Sequence, residues 1–253
     1  IFFWIAMSFG ILIKGPIIII FTFFPLIIFS ILRKRNFIKN IWSTFGFVLL
    51  LLITIPWFVL INIKSGGAFW YESVGNDLFN KVKSGQESHG FPPGYYSLLL
   101  FIFFWPGSIF IINLFLQLKE RFKNILQKED FLLYLIISFG FPFIVFELIP
   151  TKLPHYIYPA YLPLSILVAK FIAECDYNKK LLKFSLFSIV LFPLTIISLI
   201  TLSIHQFSEF DGNFVFIIIL YLILSLFLLK ETLKKKIKSV LISSGCFQIF
   251  TYF

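Results

Sequence analysis

The sequence predicts an all-α integral membrane protein: a polytopic bundle of transmembrane helices with one large extracytoplasmic loop. Three observations support this fold class. The chain is 59% hydrophobic and only 13% charged, whereas about a quarter of the residues in an ordinary soluble domain are charged. Its apolar residues form blocks close to the ~20 residues that a membrane span needs. The largest polar stretch, residues 62–94, lies between two such blocks.

The apolar blocks predict a single membrane domain over residues 1–253, with seven interior spans and a partial span at each end. The interior spans are predicted near 17–32, 41–61, 95–118, 131–149, 157–173, 184–204 and 214–229, and the partial ones near 1–13 and 239–253. The chain begins without Met and inside apolar sequence. We therefore expect it to be truncated at its N-terminus.

The basic residues predict the orientation of these spans. Sixteen of the 22 lysines and arginines fall in four connections, which lie on one side of the membrane if each block crosses once. Cytoplasmic loops carry the excess of Lys and Arg, so we expect these connections in the cytoplasm. Loop 62–94 is then periplasmic, in a multi-pass protein of the cell inner membrane. The net charge of +10 is distributed over the cytoplasmic ends of the predicted helices and not over one surface. This distribution indicates contacts with anionic membrane lipids and argues against a nucleic-acid partner.

A short polar break, Lys14-Gly15-Pro16, interrupts the first apolar stretch. A Lys near the membrane centre costs about 3 kcal/mol on insertion scales, and Gly and Pro interrupt helices. The break therefore places Lys14 at the outer interface. A cation at this depth suits a lipid-linked phosphate. The alternative is a lysine that snorkels at a helix end, and the sequence favours neither.

The large polar loop ends in a group of ionisable residues that includes Lys83, Glu87 and His89, followed by a Pro-Pro-Gly turn. His89 has the chemistry of a metal ligand or of a proton carrier near neutral pH. Glu87 and His89 supply at most two ligands, so the sequence shows no complete metal site. A histidine in a polar loop is more often a simple hydrogen-bonding group.

A second polar cluster, residues 151–159, lies between two predicted spans on the same side. Lys152 and His155 offer hydrogen-bond donors to a phosphate, and Tyr156 offers a hydroxyl. Glu147, near the end of the preceding span, is predicted to pair with Lys152. The alternative is an aromatic-belt turn with a snorkelling lysine. The density of donors favours a binding function.

Taken in order, five elements of the sequence resemble those of a family of membrane glycosyltransferases. They are Lys14-Gly15-Pro16, Pro56-Trp57-Phe58, the stretch from Glu87 to Tyr96, Trp105-Pro106, and the stretch from Lys152 to Pro159. The family comprises the relatives of the aminoarabinose lipid A transferase and the protein O-mannosyltransferases. The resemblance covers roughly residues 10–170 and is specific to this superfamily, not to one substrate.

The resemblance implies transfer of a sugar from a polyprenyl-phosphate-linked donor at the outer membrane face. The acceptor would be a lipid or glycan of the cell envelope, such as lipid A. Fixed cations near the departing phosphate would stabilise the charge that builds up on it. By the resemblance Lys14, Lys152 and Tyr156 would bind that phosphate. Lys83, Glu87 and His155 are supporting candidates.

The resemblance also implies two features that lie partly outside this sequence. His89 falls where the lipid A enzymes have a histidine near a divalent metal, which is the cofactor we expect. The catalytic acidic residue of the family lies ahead of the Lys-Gly-Pro element, so it is expected upstream of Ile1. No residue of this chain is predicted to be catalytic. Transfer would then need a partner, such as a separately encoded N-terminal half.

Two other functions stay open at this point. One is a non-catalytic membrane remnant or a lipid-binding subunit that keeps the fold. The other, which is less favoured, is a transporter or flippase. Transporters place charged groups or broken helices near the membrane midplane, often in repeated halves. Here the polar groups are predicted at one face, and the sequence shows no repeat.

Overall fold

The computed structural model describes residues 1–73 and 90–174, together with five single residues between 219 and 230. In these ranges the backbone is helical and contains no strand, apart from an isolated β-bridge between Gly90 and Thr151. The prediction of an all-α membrane fold is confirmed for this part of the chain. The predicted spans near 184–204 and 239–253, and nearly all of 214–229, lie outside the described residues.

Nine α-helices and three short 3-10 turns lie in the described ranges. The helices are α1 (Phe2–Lys14), α2 (Ile18–Arg33), α3 (Ile38–Ile41), α4 (Thr44–Ser65), α5 (Ala68–Trp70), α6 (Tyr95–Phe103), α7 (Ile111–Lys128), α8 (Asp130–Leu148) and α9 (Tyr158–Glu174). The 3-10 turns are Gly15–Ile17, Gly107–Phe110 and Pro154–Ile157. Helices α1, α2, α8 and α9 agree with four predicted spans to within one residue at each end.

Helices α1 and α2 form an antiparallel hairpin. The rings of Phe3 and Phe23 lie 5.7 Å apart, whereas twenty residues of a continuous helix would separate them by about 30 Å. The chain reverses at Gly15, whose φ of 69° is in the left-handed region that glycine tolerates. The 32-residue stretch Phe2–Arg33, which is apolar enough for a single span, is thus two helices. Their apex is the predicted break at Lys14-Gly15-Pro16.

Helix α4 packs against α1 and is longer than the predicted span 41–61. It begins at Thr44 because the hydroxyl of Ser43 caps it, accepting a hydrogen bond from the Gly46 backbone N–H at 3.1 Å. It continues to Ser65, four residues past the predicted end, and stops where Gly66 takes a φ of 58°. The polar stretch predicted over 62–94 therefore begins inside this helix.

The predicted span 95–118 is not one continuous helix, which corrects the sequence interpretation. Helix α6 ends just before Trp105-Pro106, and the helical segment that follows is bent from it by 114°. Proline lacks the backbone N–H that a helix needs and clashes with the preceding turn. The nine residues of α6 extend only about 14 Å, so α6 crosses the ~30 Å apolar layer only together with the segment after it.

The described residues contain four helical stretches long and apolar enough to cross a membrane, or five if the bent pair forms one span. The first of the four, Phe2–Arg33, reaches this length only when α1 and α2 are counted together, although the two helices fold back on each other as a hairpin. The prediction of a multi-pass membrane protein is confirmed. Packing divides the chain into two units, Ile1–Leu99 with Arg121–Ala169, and Leu100–Glu120 with the chain from Lys170 onward. A single membrane domain over 1–253 stays a prediction.

The first unit has two ends, which we name by their basic residues. At the Arg33 end, the Arg33 Nε lies 2.6 Å from an Asp130 carboxylate oxygen. Its terminal nitrogens donate to the carbonyls of Ile125, at 3.1 Å, and Leu126. Arg33 thus joins the end of α2 to the end of α7 and the start of α8. The Lys14 end is opposite. Helix α2 starts there and runs to Arg33, and α8 starts beside Arg33 and ends at the Lys14 end, where Phe21 of α2 stacks on Phe146 of α8.

Candidate functional site

At the Lys14 end, the polar loop meets the turn between α8 and α9. Gly90 forms the antiparallel bridge to Thr151, and the Phe91 backbone N–H donates to the Pro150 carbonyl at 3.2 Å. The described end of the polar loop, from Gly90, therefore meets the second polar cluster at residues 150 and 151. Their contact is made by the backbone, so no side-chain pattern in the sequence could have revealed it.

The carboxylate of Glu147 caps the start of α6. One oxygen accepts from the Tyr96 backbone N–H at 3.1 Å, and the other accepts from the Ser97 N–H at 3.1 Å and the Ser97 hydroxyl at 2.8 Å. The first N–H groups of a helix have no partner within it, and a negative charge is favoured there. Sequence reasoning missed this role because the capping residue lies on another helix, 50 positions away.

Lys152 is completely buried, and its ammonium faces the end of α8. Nζ donates to the carbonyl oxygens of Phe146 at 3.2 Å, Glu147 at 2.5 Å and Ile149 at 2.9 Å. It also lies 3.7 Å from a Glu147 carboxylate oxygen and 5.4 Å from the centre of the Tyr96 ring. An ammonium has three N–H donors, and three carbonyls engage them. The predicted pairing of Glu147 with Lys152 is confirmed.

The surroundings of Lys152 have opposing effects on its pKa. Burial lowers the pKa of Lys152 below its ordinary value, and the charge and hydrogen bonding of Glu147 oppose that shift. The end of α8 carries the negative end of the helix dipole, which favours a cation. The ammonium is therefore held by three backbone carbonyls and the Glu147 carboxylate.

Tyr96 links this buried pair to the following turn. Its hydroxyl donates to the carbonyl of Leu153 at 3.0 Å, and the same carbonyl accepts from the Tyr156 backbone N–H at 3.0 Å. Tyr96 is fully buried in a cluster with Phe146 and Ile157. The start of α6 thus fixes the turn from which the Tyr156 side chain leaves the backbone.

Lys14, His155 and Tyr156 form an accessible polar group beside the buried one. Lys14 is exposed at the apex of the α1–α2 hairpin, and His155 is exposed on the turn before α9. The two lie within electrostatic reach of each other. The His155 ring meets the half-buried Tyr156 ring edge-on, with centroids 4.8 Å apart. An ammonium, an imidazole and a phenol in one place supply the donors that a phosphate accepts.

Comparison with known proteins finds sugar transferases among the relatives of this chain. No family model matches the chain. The undecaprenyl phosphate-alpha-4-amino-4-deoxy-L-arabinose arabinosyl transferase of Photorhabdus laumondii is 29% identical over 135 residues, covering 51% of this chain and 22% of that protein. The transferase of the same name from Enterobacter sp. (strain 638) is 25% identical over 179 residues, covering 71% and 32%. An uncharacterized Aquifex aeolicus protein is 26% identical over 235 residues, covering 91% and 44%.

A solved structure shares the fold. The crystal structure of ArnT from Cupriavidus metallidurans bound to undecaprenyl phosphate matches with a TM-score of 0.70 and 18% identity, covering 95% of this chain and 43% of that chain. In sequence the chain is similar to the aminoarabinose transferases, and in fold it is similar to a solved member of that group of membrane glycosyltransferases. The resemblance inferred from the ordered motifs is confirmed. The chain spans less than half the length of the relatives named here.

The Lys14 end of the first unit carries most of the polar residues that the sequence singled out. Of the residues predicted from the sequence, the structure brings together Lys14, Lys152, His155 and Tyr156. The remaining candidates, Lys83, Glu87 and His89, lie outside the described residues, so their supporting and metal-binding roles stay predictions. Residues 1–73 and 90–174 contain no group of three His, Cys, Asp or Glu side chains that could hold a metal.

Proposed function

We propose that this chain is the donor-binding membrane portion of a glycosyltransferase, which moves a sugar from a polyprenyl-phosphate carrier to an envelope acceptor such as lipid A. The observation that carries the proposal is that Lys14, His155 and Tyr156 lie at the same end of the first unit, where Ile17 of the hairpin apex and Tyr156 pack against one cluster and the His155 and Tyr156 rings are in contact. Two further facts support it. A solved protein of this fold is bound to undecaprenyl phosphate, and curated relatives are named as transferases that use an undecaprenyl phosphate-linked sugar.

The chemistry of such a transfer matches these donors. An oxygen of the acceptor forms a bond to the anomeric carbon of the sugar while the bond between that carbon and a phosphate oxygen breaks, and the polyprenyl phosphate leaves with added negative charge. Positioned cations and hydrogen-bond donors lower the energy of that charge as it develops. In this proposal the Lys14 ammonium supplies the cation, the Tyr156 hydroxyl donates to a phosphate oxygen, and His155 supplies a second N–H donor. A direct contact between Lys152 and the phosphate stays a prediction.

We assign no catalytic base among the described residues. Glu147 is the carboxylate beside this group, but it is committed to the start of α6 and to Lys152. In the proposal, the residue that activates the acceptor belongs to a part of the enzyme outside the described ranges. The chain acts together with that part, whether in one polypeptide or as a separate half.

The proposal includes an orientation. The Arg33 end carries basic residues in the α2–α3 connection and along α7, whereas the Lys14 end carries fewer. Because cytoplasmic connections are enriched in Lys and Arg, the Arg33 end faces the cytoplasm and the Lys14 end faces the periplasm. The donor phosphate is then bound at the periplasmic face of the inner membrane.

Binding of undecaprenyl phosphate to the purified chain in detergent tests the proposal, with undecaprenol as the matched lipid that lacks a phosphate. We expect binding of the phosphate form and much weaker binding of the alcohol. Tyr156→Phe should weaken phosphate binding by about tenfold, as expected for one hydrogen bond to a charged group. Tyr158→Phe, at the first residue of α9, should leave it unchanged. Equal binding of both lipids, or equal effects of both variants, would contradict the proposal.

A transfer assay separates the enzyme from a lipid-binding subunit. The chain is combined with the remainder of the enzyme and supplied with a polyprenyl-phosphate-linked sugar. Sugar transfer that requires Lys14 supports the transferase. Binding of the lipid phosphate without transfer, in a sample that contains the whole enzyme, would favour the non-catalytic subunit.

A further inference from the structure

The ammonium of Lys152 has no donor left for a ligand in this structure. It is bonded to three carbonyls, and its side chain is 0% exposed. Two of these acceptors, on Phe146 and Glu147, lie in the last turn of α8, where carbonyls have no partner within the helix. The side chain therefore caps α8 from the turn that follows it.

Glu147 and Lys152 tie three segments together. Lys152 binds its turn to the end of α8, and Glu147 binds α8 to the start of α6. Their charged groups lie 3.7 Å apart, with side chains 0% and 13% exposed. A buried charge is stable only while it has a partner and hydrogen bonds. Loss of either side chain therefore loosens all three segments together.

The Leu153 carbonyl connects the Glu147–Lys152 pair with the turn that bears His155 and Tyr156. The ammonium lies against the Tyr96 ring, and the Tyr96 hydroxyl donates to Leu153. The same carbonyl accepts from the Tyr156 N–H. We propose that Glu147 and Lys152 form a buried clamp that positions the turn bearing His155 and Tyr156. Lys152 thus acts on the donor phosphate through this turn, as a positioning residue, without touching it.

The ligand part of this inference rests on the proposed function, whereas the clamp itself does not. Three variants of the full chain test it: Lys152→Met, Glu147→Gln, and the two combined. Thermal unfolding in detergent and undecaprenyl phosphate affinity, measured well below the unfolding temperature, are the two readouts. Each single variant should lower the unfolding temperature by on the order of 10 °C. Each should also weaken binding about tenfold, and the combined variant should lose no more than the worse single one.

Two results would overturn the clamp as a positioning device. If Lys152→Met loses binding at an unchanged unfolding temperature while Glu147→Gln binds normally, Lys152 is a direct phosphate ligand. If both variants unfold at lower temperature but bind with wild-type affinity, the pair stabilises the fold without positioning the donors. Glu147→Gln keeps the test decisive if Lys152→Met fails to fold.

A ligand-free measurement separates failure of this inference from failure of the proposed function. Lys14→Cys and His155→Cys are introduced together, with Cys175 and Cys246 replaced by serine, and joined with a short bifunctional reagent. The crosslink should form readily and should fall several-fold when Glu147→Gln is added. An unchanged yield would refute positioning, even if the protein binds no polyprenyl phosphate at all.

Discussion

The two ends of the first unit contain the same kind of helix cap and ion pair, but the carboxylates of the two pairs differ in solvent exposure. At each end a cation caps the final carbonyls of a helix and pairs with a carboxylate: Arg33 at the end of α7, with Asp130, and Lys152 at the end of α8, with Glu147. Asp130 is 58% exposed, whereas Glu147 is 13% exposed. Solvent weakens an exposed pair, and burial makes the loss of one partner costly.

The difference between the ends suggests a division of roles. At the Arg33 end, the ion pairs reach the surface, as does the pair of Arg121 with Glu129, and they join helices. At the Lys14 end, the pair is buried beneath separate exposed donors, Lys14 and His155. A rigid buried support under accessible donors is an arrangement that suits ligand binding.

The largest expected effect is on Lys152. Lys152→Ala should lower the free energy of unfolding by about 3–5 kcal/mol, because it leaves the largely buried Glu147 carboxylate without its counter-charge and three carbonyls without donors. Chemical unfolding in detergent, followed by tryptophan fluorescence, measures this. A loss below about 1 kcal/mol would mean that the clamp contributes little.

Arg33 should give a smaller effect, and only on stability. Arg33→Met removes two hydrogen bonds to carbonyls and a pair with a well-exposed carboxylate, so we expect a loss of about 1–2 kcal/mol. Binding of undecaprenyl phosphate should stay within twofold of wild type, because Arg33 lies at the opposite end. Weaker binding by Arg33→Met than by Lys152→Ala would reverse the assignment of roles to the two ends.

Tyr96→Phe should have a still smaller effect on stability. It removes only the hydroxyl that donates to Leu153 and keeps the buried ring, so the cost is about 1 kcal/mol. Hydrogen exchange of the Tyr156 amide should quicken, since that amide shares the same carbonyl acceptor. Unchanged exchange in this variant would show that the turn holds its shape without Tyr96.

The membrane helices could largely be predicted from the sequence, because the bilayer imposes a length on any apolar helix. The hairpin apex at Lys14 followed from a charge beside Gly and Pro. The break at Trp105-Pro106 was missed, since apolar length alone indicates a span. The motif itself was visible, and proline supplies the physical reason for the break.

The site was predictable only as far as local chemistry shows it. Lys14, His155 and Tyr156 could be singled out as donors on one side of the membrane. The burial of Lys152 could not, because a lysine at a helix end usually reaches outward. The cap that Glu147 provides for α6 was also invisible, since its partners include backbone N–H groups about 50 residues away. The roles of the supporting residues depend on contacts between distant parts of the sequence and could not be predicted, whereas the exposed donors could be recognised from their own sequence neighbourhood.

The most direct test of the account compares two exposed lysines, Lys14 and Lys64. Lys64 lies near the end of α4, which reaches the Lys14 end because α4 begins beside the start of α1. We expect Lys14→Met to weaken undecaprenyl phosphate binding by about tenfold, and Lys64→Met to leave it unchanged. Both variants should unfold within about 0.5 kcal/mol of wild type. Equal affinities for the two variants would contradict a donor-phosphate site at Lys14.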